Sequence, residues 1–73
     1  MSVAVDPVSV SLLRWLRRQL RQPTPLRERL EAAVAADDPG EARRVAALLP
    51  FSPAQARHVD VLIDCWERSR ERR

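Results

Sequence analysis

Glycine is nearly missing from this chain: Gly40 is the only one in 73 residues, and lysine and tyrosine do not occur at all. A single glycine leaves no loop able to cradle a phosphate, which removes the common nucleotide-binding motifs. Cysteine and histidine occur once each, as Cys65 and His58. No internal disulfide is therefore possible, and one chain cannot assemble a Cys/His zinc site. No apolar run is long enough to span a bilayer. Met1 to Pro7 carries an aspartate and no basic residue, unlike a secretory leader. Together with the lone thiol, these absences point to a reducing cytoplasm.

What remains is rich in proline, leucine, alanine and arginine. The length suits one domain over residues 1–73, with 1–5 and 71–73 flexible at its ends. A chain this short buries only about 60% of its unfolded surface. With no disulfide or metal to help, self-association into a homodimer is the expected aid.

Four dipeptides organise the sequence: Asp6-Pro7, Thr24-Pro25, Asp38-Pro39 and Ser52-Pro53. Each sets an N-cap side chain before a proline suited to the first helical position. The cap oxygen satisfies an orphan N–H, and proline has no N–H to leave unsatisfied there. Asp38 to Glu41 and Ser52 to Gln55 extend this to capping boxes. The predicted fold is an all-α bundle of four short helices over approximately 7–22, 25–36, 39–49 and 53–70. The last three starts are fourteen residues apart, which brings Arg29, Arg43 and Arg57 into register; coincidence explains this better than a repeat. Val3 and Val5 form a short arm ahead of the first helix.

Each helix carries an apolar stripe at helical spacing. The first groups Leu13, Leu16 and Leu20, with Leu12 and Trp15 on its flank. The second has Leu26, Leu30, Ala33 and Val34. The third has Ala42, Val45, Ala46 and Leu49 beside Leu48, and the fourth has Ala56, Val59, Leu62, Ile63 and Trp66. Phe51, between two prolines, is placed as a plug at the end of the core.

All thirteen basic residues are arginine, against ten acids, for a net charge of +3. Codon bias accounts for such a preference, and so does a need for planar, bidentate recognition of carboxylate or phosphate. Both ends are basic and the middle is mildly acidic, a weaker excess than nucleic-acid binders usually carry.

The sharpest functional feature is a row on the first helix, Arg14, Arg17, Arg18 and Arg21, within an arc of about 100° opposite the leucines. Like charges so placed repel by about a few tenths of a kcal/mol per pair, and no acid on that helix relieves them. The bland reading is a solvated face. The functional one is a contact surface for an anionic partner: an acidic or phosphate-binding surface of a larger protein, or nucleic acid. A membrane surface ranks last, because the core needs this helix's leucines.

Two weaker features accompany it. His58, Val61 and Cys65 form a second stripe on the fourth helix, read either as a minor core contact or as a homodimer seam. Arg43 to Leu62 resembles a helix-turn-helix in its apolar spacing and would present Gln55, Arg57 and His58 to a major groove. Pro50 occupies the turn position where glycine is usual, and Asp60 and Asp64 would face phosphates.

Catalysis has little to work with. Cys65 lies late in a helix rather than at the N-terminus where a thiolate is favoured, and Asp60 and Asp64 have Arg57 and Arg68 at ion-pair spacing. No enzyme activity, cofactor or metal is expected. The sequence therefore reads as a small regulatory or inhibitory protein that works by protein–protein contact. Inhibitors encoded by phages and mobile elements, anti-CRISPR proteins among them, are one population of such chains, though no residue selects it. The alternatives are a DNA- or RNA-binding regulator and a small subunit of a larger assembly.

Overall fold

The computed structural model describes residues 7–72. Its helices are α1 (Pro7–Gln19), α2 (Pro25–Ala35), α3 (Pro39–Ala46) and α4 (Pro53–Glu71), with no strand among the described residues. Every predicted proline opens its helix. Thr24 Oγ1 accepts the Arg27 N–H at 3.2 Å, and an Asp38 carboxylate oxygen accepts the Glu41 N–H at 3.1 Å. Ser52 and Gln55 form the full reciprocal box. The box expected at Asp38 is only half made, because the Glu41 carboxylate is taken by Arg29 and Arg44 instead. The Asp6 cap and the Val3–Val5 arm lie outside the described residues.

Three helices end earlier than predicted, α2 by one residue and α1 and α3 by three, and proline explains the two larger differences. A residue before proline is pushed out of the helical region, so the last turn of α1 opens ahead of Pro23. The guanidinium of Arg27 then caps the freed carbonyls of Leu20 at 2.8 Å and Arg21 at 3.1 Å. Ahead of Pro50, α3 tightens into three-residue turns, Leu48 N–H to Val45 and Leu49 N–H to Ala46. The fourth helix ends later than expected, at Glu71, and Arg70 is ordered by Asp37 at 3.2 Å.

The helices form a closed ring. Each packs on its two neighbours, α1 on α2, α2 on α3, α3 on α4 and α4 back on α1, with no close backbone approach across either diagonal. The pairs Trp15–His58 and Gln19–Gln55 show that α1 and α4 run in opposite directions. Inside the ring, Leu12, Leu16, Leu30, Ala42, Val45 and Trp66 are fully buried, with Ile63, Val59 and Ala33 nearly so. Burying a Leu or Ile side chain contributes about 1.5–3 kcal/mol.

The stripes needed adjustment. On α1 the centre is Leu12 and Leu16, while Leu13, Leu20 and Trp15 sit half-buried on the flanks. Leu48 is exposed because it lies in the turn after α3, and Ala56 is exposed on α4. Phe51 is half-buried at the end of the bundle, its ring 5.5 Å from that of Trp15.

Candidate functional site

The arginine row on α1 follows from the packing just described. With Leu12 and Leu16 at 0% exposure, residues about 180° away must face solvent. Arg14, Arg17, Arg18 and Arg21 are all exposed, but the row expected on one helix loses its last member, because α1 ends at Gln19 and Arg21 lies in the connection ahead of Pro23. Arg17 leans toward α2, where its Nε lies 3.5 Å from Glu31. Arg27 holds the same carboxylate more closely, at 2.9 Å. Among the described residues, Arg14, Arg18 and Arg21 make no ion pair.

The other arginines behave differently. Arg29 and Arg44 share Glu41, Arg68 pairs with Asp64 at 2.8 Å, and Arg70 pairs with Asp37. Arg43 is the hub of the α3–α4 contact, held by Asp60 and Glu67 with Asp64 at 3.7 Å. Its hydrogen bond to Glu67 holds its guanidinium more firmly protonated than usual. Arg57 and Arg72 are also without an ion pair among the described residues, but about four turns of α4 separate them. Among the described residues, α1 alone carries two such cations on one face, Arg14 and Arg18, with Arg21 two residues beyond its end.

Arg43 was missed as an organising residue. The signal lay in Asp60, Asp64 and Glu67, an acidic stripe at i, i+4 and i+7 that asked for a partner on a neighbouring helix. Local pairing explains only part of it, since Asp64 does meet Arg68 while Asp60 meets Arg43 rather than Arg57.

Two carboxylates carry a pH dependence. Burial pushes the Glu31 carboxyl up, but hydrogen bonds from Arg17 and Arg27 outweigh it and hold the group below its ordinary value of 4.5. Hydrogen bonds from Arg29 and Arg44 lower Glu41 from the same value. A depressed carboxylate contributes stability that is present above the unfolded value and lost as pH falls through the folded one. Melting temperature should therefore hold from neutral pH down to about 4.5 and decline below it. Glu31→Gln should flatten that decline.

The second predicted stripe divides. The His58 ring rests on Trp15, centroids 4.9 Å apart, so it belongs to the α1–α4 contact although it is exposed by area. Val61 is 54% exposed and Cys65 is exposed. The helix-turn-helix reading loses its readers. Gln55 is committed to the cap and to Gln19 at 2.7 Å, and His58 is committed to Trp15. Arg57 alone is left, with Asp60 and Asp64 beside it on α4.

Among the described residues no group of three His, Cys, Asp or Glu side chains could hold a metal, and no helix is long and apolar enough to cross a membrane. Compared with protein-family models, with characterised proteins and with solved structures, the chain matches none.

Proposed function

We propose that this chain is a small non-enzymatic regulatory or inhibitory protein that docks on an acidic surface of a larger protein. Arg14, Arg18 and Arg21 form the centre of the contact, and Arg17 lies at its α2 edge. One observation carries the reading. Arg14 and Arg18 on one face of α1, and Arg21 two residues past its end, make no ion pair among the described residues, while Arg27, Arg29, Arg43, Arg44, Arg68 and Arg70 all do. A planar guanidinium suits the bidentate carboxylate contacts such a surface offers.

The test is co-purification from the native cell with the tagged chain and with its Arg14→Gln, Arg17→Gln, Arg18→Gln, Arg21→Gln variant. Exposed ion pairs contribute about 0.5–1 kcal/mol each, so four substitutions should weaken binding by at least roughly 30-fold. A variant that folds normally and retains its partner at full affinity contradicts the proposal.

A nucleic-acid target is the second reading, favoured by the same unpaired cations. Duplex binding whose salt slope becomes about three to four units shallower in the variant would move the assignment there. An assembly subunit would expose a broad apolar patch. Against it, the large hydrophobic residues well exposed on the described surface are Leu48 and Val61. Homodimerisation would use Val61 and Cys65, and light scattering over a concentration series reads it directly. A constant monomer mass would leave the arginine face acting alone.

A further inference from the structure

At the end of the bundle, where the α1–α2 and α3–α4 connections meet, an open groove of about 390 Å³ is floored by Leu20, Leu26, Leu49 and Pro50. Its rim is polar and includes Arg21 and Gln22. Arg21 thus belongs both to the groove and to the cationic row. The wall that carries it is fixed in advance, because Arg27 binds the Leu20 and Arg21 carbonyls and is itself held by Glu31. A groove whose wall does not have to be ordered on binding loses less free energy when it is filled.

From this geometry we infer that the groove is the anchor pocket of the arginine face, and that it takes one apolar side chain of an acidic partner segment. The inference rests on the proposed docking role and adds the chemistry of the partner. Charge complementarity argues for an acidic occupant. Arg14 and Arg18 lie one turn apart on α1, about 6 Å along its axis, and Arg21 lies two residues beyond the end of that helix. A helical partner segment with an apolar anchor and, beyond it, two carboxylates four positions apart matches the Arg14–Arg18 pair. Protein interfaces commonly concentrate their affinity in such an anchor, surrounded by polar contacts that exclude water.

The test titrates the isotope-labelled full chain with an acetylated, alanine-based helical peptide that carries one phenylalanine and two glutamates at that spacing. The amide signals of Leu20, Arg21, Leu26 and Leu49 should shift together with those of Arg14 and Arg18. Replacing the phenylalanine with alanine should abolish the first group of shifts and weaken binding at least tenfold. Replacing the glutamates with glutamine should weaken binding as much. Equal affinity of the phenylalanine and alanine peptides, with shifts confined to α1, would overturn the anchor and leave the docking face standing. Groove shifts that persist undiminished with the glutamine peptide would overturn the coupling of charge to anchor. No shift at Arg14, Arg18 or Arg21 at millimolar peptide would remove the docking face as well. Tighter binding of a short DNA duplex to the same residues would replace the peptide with nucleic acid.

Discussion

Leu16→Ala is expected to destabilise the fold by about 2–5 kcal/mol, the usual cost of truncating a fully buried leucine and leaving a cavity. Leu16 is at 0% exposure inside the ring of helices, and so is Leu12 one turn earlier. A domain of this size has little stability in reserve, so the variant should be largely unfolded near body temperature. Leu13→Ala is the control. The sequence pattern puts Leu13 in the same stripe, but it is only half-buried, so its truncation should cost distinctly less. The comparison by thermal or urea denaturation orients α1. If Leu13→Ala were the more damaging change, α1 would be rotated, and the arginine row would no longer point where it is placed here.

Asp37→Ala should cost about 2–4 kcal/mol, a large effect for a residue on the α2–α3 connection. Two observations support this. Asp37 has φ 56°, the left-handed conformation that ends α2, with its N–H bonded to Val34 and the Asp38 N–H bonded to Ala33. That arrangement is a Schellman cap in which aspartate stands where glycine is usual. Its carboxylate also accepts the indole N–H of fully buried Trp66 at 2.8 Å. Removing the acceptor strands a buried donor, at about 1–3 kcal/mol, and alanine pays roughly 1 kcal/mol or more in the left-handed region. Asp37→Asn keeps an oxygen for the indole and tolerates the backbone, so it should cost distinctly less than Asp37→Ala, its loss being that of the carboxylate's charge, as in the exposed pair with Arg70. Asp37→Gly removes the backbone strain but not the orphaned N–H, and should fall between them. Equal melting temperatures for the Ala and Asn variants would show that the Trp66 bond contributes nothing.

The helices were legible because their signals are local. A cap followed by proline acts within one turn, and it placed the α2, α3 and α4 starts at Pro25, Pro39 and Pro53. Where the pattern failed, the deciding contact came from elsewhere in the chain. The end of α1 depends on Arg27 reaching back to its carbonyls. Nothing near Asp37 announces that Trp66 arrives beside it from α4. The stripe on α1 was read one position off, because its leucines cover a wide arc and only the neighbouring helices decide which part faces inward. The arginine row was legible as a row. Whether it was used internally was not, since its possible partners lie on other helices. Glu31 reaches Arg17, and among the described residues no carboxylate reaches Arg14, Arg18 or Arg21.

The measurement that bears most directly on the central claim is arginine-specific dicarbonyl footprinting, read by peptide mass spectrometry on the free chain and on its complex. In the free chain, Arg14, Arg18 and Arg21 should react fast, while Arg27 and Arg43, each engaged by carboxylates, should react slowly. In the complex the first three should become protected. Continued fast reaction of Arg14, Arg18 and Arg21 in a complex that protects some other surface would contradict the account.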